Sequence, residues 1–216
     1  MSKQAFAAIL ADVCDAVIAH RDELSRLDAA LGDGDHGTSM AKAFGHVKAQ
    51  LDPAAGLSDL LRDSGMTLLS VGGAMGPLFG SAFLAAADAV KTDTLDGATV
   101  AAMLEAADAA IVDLGHATLG DKTMLDALRP AAQAARAAAG RDESACAVFE
   151  AAARAARTGA EATATLVARI GRASRLGPRS VGYRDPGAMS TALILETFST
   201  SARRHGGKAA GTTDQP

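Results

Sequence analysis

The sequence has few aromatic residues, no tryptophan and no long uncharged apolar run. Aromatic side chains make up 3% of its 216 residues, with a single Tyr. Because strands favour aromatic and β-branched side chains while Ala and Leu favour helices, this Ala- and Leu-rich composition predicts a helical protein. No stretch of about 18 apolar residues is free of charge, so we expect no membrane-spanning helix and no membrane partner.

Cysteine is scarce and positive charge is in the minority. The net charge is −4, whereas a nucleic-acid-binding domain usually carries a basic surface, so we expect no nucleic-acid partner. Cys14 and Cys146 lie far apart in helical patterns, and a domain of this size needs no disulfide, so we expect reduced thiols. Asp12 and Asp15 interrupt the apolar residues near the first methionine, where a secretion signal would need an apolar run. We therefore expect a cytoplasmic protein.

Apolar residues recur at intervals of three and four through most of the chain. Phe6, Leu10 and Val13, for example, mark one face of a first helix. The pattern predicts an all-α fold, a bundle of about eight helices. The predicted helices include residues 40–49 and 78–90 and a short helix over residues 166–170.

Glycine divides the bundle at four loops. We expect residues 1–204 to form one helical domain and the small, polar residues 205–216 to form a disordered tail. Within the domain, clusters of glycine mark tight turns or places where the backbone approaches a ligand closely. The four loops are residues 31–38, 71–80, 115–124 and 172–188. We expect the chemistry of the protein there.

The first loop places three aspartates close together. Asp33 and Asp35 alternate with glycines, and Asp28 lies about one helical turn upstream. Three converging carboxylates repel one another unless a cation neutralises them, and oxygen ligands favour Mg²⁺ or Ca²⁺ over Zn²⁺. A calcium loop that began at Asp33 would need a Glu where this chain has Phe44. The aspartates therefore predict a magnesium site, and the alternative is a solvated acidic turn that caps the next helix.

The residues after the aspartates predict a phosphate-binding helix start. His36, Gly37, Thr38 and Ser39 open the next helix, with Thr38 or Ser39 as its expected cap. The N–H groups of a helix start have no partner within the helix and bind anions such as phosphate. Metal ligands followed directly by such a site indicate a metal–phosphate ligand, which means a nucleotide or a polyphosphate.

Two of the remaining loops are weaker signals. Residues 115–123 nearly match a P-loop, but Asp121 separates Gly120 from Lys122, and a helix rather than a strand precedes them, so we reject that interpretation. An ordinary helix connection is the alternative. The glycines of residues 72–80, taken alone, favour close helix packing over a ligand site.

The last loop contains several arginines and ends in a helix-start signal. Asp185 in the cap position, followed by Pro186 in the first helical position, is a common way for a helix to begin. Arg172 or a neighbouring arginine is suited to pair with phosphate. Surface arginines beside an ordinary cap are the alternative.

Taken together, the four loops resemble, in order and in spacing, the L subunit of dihydroxyacetone kinase and the matching C-terminal domain of its ATP-dependent relatives. The resemblance covers nearly the whole chain except the tail. It rests on the sequences GDGDHG, GGA, GPLFG, GDKTMLD and DPGA at residues 32–37, 72–74, 76–80, 120–126 and 185–188. It implies an antiparallel barrel of eight helices that forms a nucleotide-binding domain.

The resemblance also implies a ligand set. Asp28, Asp33 and Asp35 match the aspartates that hold two magnesium ions, which bridge the phosphates of ADP or ATP. The residues implied to contact the nucleotide are His36, Gly37, Thr38, Ser39, Met75, Gly76, Gly115, Met124, Arg172, Asp185, Pro186 and Gly187. Met75 stands where the family commonly has a small residue, often Ser, so a backbone contact to phosphate is expected there. No catalytic residue is assigned beyond this metal–nucleotide site.

The function implied by the resemblance is that of half an enzyme. The L subunit passes the γ-phosphoryl group to dihydroxyacetone, or a similar ketose, bound on a separate K subunit. Its ADP is recharged in place by a phosphotransferase-system M subunit, or exchanges for ATP in the ATP-dependent branch. Positioning and charge neutralisation supply most of the catalysis of phosphoryl transfer, so such a division is chemically sensible. A homodimer stays open.

Three other functions stay open from the residues alone. A stand-alone metal-dependent phosphohydrolase would use the same acidic loop and show phosphatase activity without partners. A nucleotide-sensing regulatory protein would bind the ligand without turnover. A phosphoryl relay through His36 is less favoured, because no second phosphodonor motif accompanies it.

Overall fold

The computed structural model describes residues 1–71 and 75–206. Within these ranges the chain forms nine α-helices, two 3-10 helices and no strand, which confirms the predicted all-α class. The α-helices are α1 (Lys3–Ala19), α2 (Arg21–Ala29), α3 (His36–Gln50), α4 (Leu57–Leu69), α5 (Met75–Ala89), α6 (Gly97–Gly115), α7 (Leu125–Ala139), α8 (Ala145–Ala162) and α9 (Pro186–Gly206). The 3-10 helices are Thr163–Thr165 and Arg172–Ser180.

Short polar side chains begin several of the helices. The Ser2 hydroxyl accepts a hydrogen bond from the third residue of α1, and Ser144 does the same for α8. The Asp96 carboxylate accepts from the N–H of Thr99 at 2.8 Å and begins α6. Such caps pair an N–H group that the helix itself leaves without a partner, so they fix where each helix starts.

Eight of the helices close into a ring. α1 packs against α3, the helices from α3 to α9 each pack against the next, and α9 packs back against α1. The links between α4 and α8 are short, which favours antiparallel neighbours. The ninth helix, α2, packs mainly against α3 and α9. The ring therefore has the eight helices that the resemblance implies, with α2 as an addition to it.

The prediction of a short helix over residues 166–170 is wrong. The chain leaves α8 through the 3-10 turn Thr163–Thr165 and continues as a loop. The N–H of Ala168 donates to the Ser180 hydroxyl at 2.9 Å, and the N–H of Arg169 donates to the Asp121 carbonyl at 3.1 Å. These N–H groups pair with distant segments, so they cannot form the local bonds of a helix. Part of the loop predicted to begin at Arg172 is the second 3-10 helix.

The inside of the ring is apolar. The ring of Phe198 on α9 stacks on Phe149 of α8 and Phe6 of α1, with centroids 5.3 Å and 6.1 Å apart. A cavity of about 80 Å³ lies among α4, α5, α6, α7 and α9. Its lining, which includes Phe79, Met103 and other apolar side chains, contains no charged residue. The apolar side chains therefore hold the helices together, and this cavity is unsuited to a charged ligand.

Glycines permit the closest helix crossings. A Cβ at Gly159 on α8 would overlap the carbonyl oxygen of Asp126 at the start of α7. On α4 and α5, a Cβ at Gly65 would lie 3.0 Å from the Gly80 carbonyl oxygen, and a Cβ at Gly80 would lie 2.9 Å from that of Gly65. These crossings bring backbone to backbone, so a side chain at any of the three positions would push two helices apart.

Both cysteines are free, as predicted, and burial raises the pKa of the Cys14 thiol to about 12. α9 continues through Gly206, two residues into the predicted tail, while residues 207–216 and residues 72–74 (Gly72, Gly73 and Ala74) lie outside the described residues. None of the described helices is long and apolar enough to cross a membrane.

We expect Gly159→Ala to destabilise the fold, because the new methyl group meets a backbone oxygen that cannot move without shifting α7. Overpacking of this kind costs about 1–3 kcal/mol. Gly45→Ala on α3 is the matched control, since no atom lies within 4 Å of the added Cβ. It should stabilise the helix by about 0.5–1 kcal/mol. Urea unfolding measures both, and equal effects would contradict the close crossing at Gly159.

Candidate functional site

Three aspartates converge between α2 and α3. One carboxylate oxygen from each of Asp28, Asp33 and Asp35 lies within 4.8 Å of the others. A tight turn brings them together: the Asp28 carbonyl accepts from the N–H of Gly32 at 2.6 Å, and Gly34 has a φ of 76°. The Asp28 carboxylate also accepts from the N–H of His36 at 3.2 Å. The cluster is thus a concentrated negative charge built from oxygen atoms, the ligand type that Mg²⁺ prefers.

Arg172 supplies the positive charge that faces this cluster. Its guanidinium, at the start of the second 3-10 helix, pairs with the Asp33 carboxylate and lies 3.5 Å from that of Asp35. All three side chains are about half exposed. The arginine therefore offsets part of the repulsion among the aspartates, and it is placed so that a cation bound by them would compete with it.

The start of α3 differs from the prediction in one respect. The helix begins at His36 and the cap position is Asp35, since the N–H of Ser39 donates to the Asp35 carbonyl at 2.9 Å. Thr38 or Ser39 was predicted as the cap, but they lie three and four residues after the cap position, inside the helix. The first-turn N–H groups still lie directly beside the aspartates, as an anion site requires.

His36 links α3 to α9. Its Nε2 lies 3.0 Å from the Ser190 hydroxyl, and burial lowers the pKa of the imidazole. A neutral imidazole holds its neighbours by hydrogen bonds without adding charge to the site.

Carboxylates fold the loop between α6 and α7. Asp121 accepts from the N–H and the hydroxyl of Thr118 at 2.7 and 2.9 Å. Asp126 accepts from the N–H of Gly120 at 2.6 Å and of Thr123 at 2.8 Å. These hydrogen bonds hold the loop in one conformation. Gly120 has a φ of 91°, which favours glycine at this position.

The predicted helix start at Asp185 is confirmed. Its carboxylate accepts from the N–H of Ala188 at 2.7 Å, and α9 begins at Pro186. The N–H of Asp185 donates to the Thr163 hydroxyl at 2.8 Å. Burial raises the pKa of the Asp185 carboxyl to about 7, a change that its hydrogen bond to Ala188 opposes.

A cleft of about 290 Å³ joins these parts. Of the residues singled out in the sequence, its lining includes Asp28, Asp35, His36, Ser39, Met75, Met124, Arg172, Asp185, Pro186 and Gly187. The others lie around it: Asp33 belongs to the aspartate cluster, and Thr38 is in the first turn of α3. Four separate stretches of sequence thus meet at one place.

Three predicted nucleotide contacts have packing neighbours. A Cβ at Gly37 would overlap the Arg21 carbonyl oxygen of α2, and one at Gly76 would overlap that of Val71. Gly115 ends α6, with a Leu78 methyl 3.6 Å from where its Cβ would be. Close packing requires glycine at the first two positions, and their contact with a nucleotide stays a prediction.

Sequence reasoning missed the role of Lys122. It placed this residue in a rejected P-loop match and gave it no role, yet Lys122 is 1% exposed and its ammonium group donates to four backbone carbonyls. It also missed the apolar residues that line the cleft, among them Leu31, Leu78 and Ile170. The GDKT sequence was the available signal that Lys122 has a role. Its carbonyl partners could not be read from that sequence, because they lie 41 to 61 residues from Lys122.

Comparison with known proteins agrees with this geometry. Residues 30–200 match the DAK2 domain. The chain is 40% identical over 193 residues to "PEP-dependent dihydroxyacetone kinase 1, ADP-binding subunit DhaL" of Listeria innocua, covering 88% of this chain and 91% of that subunit. It is 39% identical over 185 residues to the corresponding DhaL subunit of Escherichia coli K12, covering 83% and 88%.

A solved structure agrees as well. The crystal structure of the dihydroxyacetone kinase from C. freundii in complex with AMP-PNP and Mg²⁺ superposes with a TM-score of 0.70 at 28% identity. The match covers 90% of this chain and 33% of the kinase chain, so this chain spans about a third of that protein.

We expect Arg172→Ala to raise the affinity of the aspartate cluster for Mn²⁺, used in place of Mg²⁺, when no nucleotide is present. The guanidinium competes with the metal for the same carboxylates. Half-exposed ion pairs contribute about 0.2–1 kcal/mol, so the gain should be up to about fivefold. Electron paramagnetic resonance of free Mn²⁺ measures it.

Arg175→Ala is the control, because it removes the same charge from the same 3-10 helix. Within the described residues, the ion pairs with Asp33 and Asp35 come from Arg172. An equal gain in both variants, or weaker metal binding by Arg172→Ala, would contradict direct competition.

Proposed function

Because the chain belongs to the DAK2 domain family, we propose that it is the ADP-binding L subunit of a dihydroxyacetone kinase. It holds a magnesium nucleotide in the cleft, and its γ-phosphoryl group passes to dihydroxyacetone, or a similar ketose, on a separate K subunit. The chain matches most of the length of both DhaL subunits, which supports a role as that component.

The observation that carries the proposal is the meeting of three kinds of group in one cleft. The aspartate cluster suits a metal, the start of α3 suits phosphate oxygens, and Arg172 adds a positive charge at the same place. A nucleoside polyphosphate with bound Mg²⁺ needs all three, since its anionic oxygens and its cation must be satisfied together. An isolated acidic turn would need neither the helix start nor the arginine beside it.

The donor set fits magnesium. Asp28, Asp33 and Asp35 offer oxygen atoms, and with nucleotide phosphates they would hold two Mg²⁺ ions, whose bound charge would neutralise the phosphates during transfer. No histidine or cysteine belongs to the cluster, which disfavours zinc. The Arg172 guanidinium is positioned to exchange its carboxylate partners for phosphate oxygens when the metal binds.

The remaining residues proposed to contact the nucleotide hold it in position and do not react with it. His36, Thr38 and Ser39 present the first turn of α3, Gly37 keeps that turn against α2, and Met124 lies across the cleft. Backbone groups at Met75 and Gly76, at Gly115, and at the Asp185–Gly187 helix start would complete the site.

We propose that the acceptor comes from another subunit. The cavity inside the ring has no charged lining residue, so it is unsuited to a polar ketose. We propose a K subunit that brings the ketose to the mouth of the cleft. By analogy with the phosphoenolpyruvate-dependent relatives, we propose an M subunit that recharges bound ADP, in the cytoplasm where those phosphodonors occur.

We expect Asp33→Ala to weaken the binding of ADP in the presence of Mg²⁺ by at least about tenfold, because a metal ligand is lost and charge-assisted contacts contribute about 1.5–3 kcal/mol. Calorimetry with and without EDTA measures this. Asp63→Ala on α4, an exposed aspartate outside the cluster, should leave the affinity unchanged. Equal ADP binding in EDTA would contradict the metal-dependent site.

We expect dihydroxyacetone phosphate to form only when this chain is mixed with a K subunit. Two donor arms, one with ATP and one with an M subunit and its phosphorylated donor, identify the branch. A coupled assay for dihydroxyacetone phosphate reads out the result. Robust kinase activity of the chain alone would contradict the proposal that the acceptor binds on another subunit. Phosphatase activity without kinase activity would favour the stand-alone phosphohydrolase.

A further inference from the structure

Lys122 is a buried cation at the back of the cleft. Its Nζ lies 2.8 Å from the Thr163 carbonyl oxygen and 3.1 Å from that of Leu166. The carbonyl oxygens of Ser180 and Tyr183 lie 2.7 and 2.5 Å away. Four carbonyls around one ammonium share its three protons, so the group is surrounded by oxygen as a bound metal cation would be.

Burial acts against the charged form of this lysine, and the groups around its Nζ act in the opposite direction. Burial lowers the pKa of the ammonium, while the nearby Asp185 carboxylate opposes that change. The four carbonyl oxygens can only accept hydrogen bonds, so the protonated form satisfies them best. Lys122 also has a φ of 64°, an uncommon backbone conformation for a residue other than glycine.

The four carbonyls come from the two ends of one irregular stretch. Thr163 lies just before it, Leu166 begins it, and Ser180 and Tyr183 lie at its other end. We call residues 166–183 the Arg172 segment, because it carries Arg172 into the cleft. Elsewhere, the N–H of Gly182 donates to Ala164 and that of Arg169 donates to Asp121. Arg172 also pairs with the exposed aspartates of the cluster, whereas the bond from Ala168 to Ser180 lies within the segment.

The same lysine is joined to two other parts of the cleft. Thr123 and Met124, the next residues in the chain, line it directly. Asp185, two residues after Tyr183, begins the Asp185–Gly187 helix start that also lines it. Three cleft-forming pieces thus depend on the position of one ammonium group.

We propose that Lys122 is a positioning residue that acts as an internal cation, holding the Arg172 segment and the Asp185–Gly187 helix start where a nucleotide can be bound. The proposal rests on the proposed nucleotide-binding function. A core that needed only filling would favour an apolar side chain, because a buried ammonium is costly unless every neighbour is a hydrogen-bond partner. Here the four carbonyl oxygens are partners, and three of them belong to the Arg172 segment.

Trypsin tests whether the segment is held, without reference to nucleotide. The segment contains Arg169, Arg172, Arg175 and Arg179, all exposed. Lys122→Met keeps the length of the side chain and removes its charge and donors. We expect cleavage at these arginines, followed by mass spectrometry, to be at least tenfold faster in Lys122→Met than in the unchanged protein. The control Lys91→Met, at an exposed lysine, should be cleaved at these arginines at the same rate as the unchanged protein.

Cleavage within the ring helices distinguishes positioning from general stability. Sites at Arg136 on α7 and Arg154 on α8 should keep their rates in Lys122→Met. A uniform increase at all sites would show that Lys122 only stabilises the fold, and an unchanged rate in the segment would show that it holds nothing. Either outcome overturns the proposal.

Calorimetry with Mg-ADP then connects the segment to the ligand. We expect Lys122→Met to bind Mg-ADP at least tenfold more weakly, with Lys91→Met unchanged. If the affinity of Lys122→Met is also unchanged while the segment cleaves faster, the positioning role is overturned. If the unchanged protein does not bind Mg-ADP, the proposed function fails by itself, and the cleavage pattern still tests the internal cation.

Lys122→Gly provides a chemical test, since glycine suits the positive φ and leaves a space shaped like n-butylammonium. Added n-butylammonium should slow cleavage of the segment relative to cleavage at Arg136 and Arg154, because it restores both the charge and its N–H donors at the Lys122 position. Tetramethylammonium has the charge without the donors and should not. Protection by both cations, or by neither, would contradict a role for the donated hydrogen bonds.

Discussion

Three carboxylates held within 4.8 Å of one another need a positive charge beside them. The sharp turn at Gly34 and the hydrogen bond from His36 to Asp28 force this crowding, so the repulsion is built into the loop. Arg172 is the counter-charge supplied by the chain itself. Its position depends in turn on the segment that carries it, and therefore on Lys122. The aspartate cluster thus depends on Arg172 for its counter-charge, and Arg172 depends on Lys122 for its position.

The helical ring provides the fixed frame for these charges. Its crossings at Gly65, Gly80 and Gly159 are close enough to exclude side chains, and its interior is apolar. The last of these crossings is against Asp126, whose carboxylate folds the loop that contains Lys122. Packing between α7 and α8 is thereby connected to the back of the cleft. A rigid frame with function in its loops is a common arrangement in proteins.

The parts of this molecule that could be predicted from sequence are those that depend on local pattern. Helical periodicity located the ring, and the aspartate cluster was predictable because its members lie within one short turn. α2 was missed because Leu24 is its single buried side chain, which leaves little periodicity. The role of Lys122 was not predictable, since it depends on carbonyls from distant segments. A lysine in a glycine loop is usually exposed, and only the folded chain reveals its partners.

The positive charges of the cleft differ in how easily they can be exchanged. Lys122 is covalently attached, buried and surrounded by carbonyl oxygens, so no ion in solution can replace it while the fold persists. Arg172 is half exposed and paired with carboxylates that a divalent ion would also bind, so its partners can change. A site that must accept and release a metal nucleotide needs both kinds: a permanent charge that fixes its shape, and a mobile one that yields to the ligand. Placing the permanent charge on the far side of the segment lets Arg172 change partners without loss of the cleft itself.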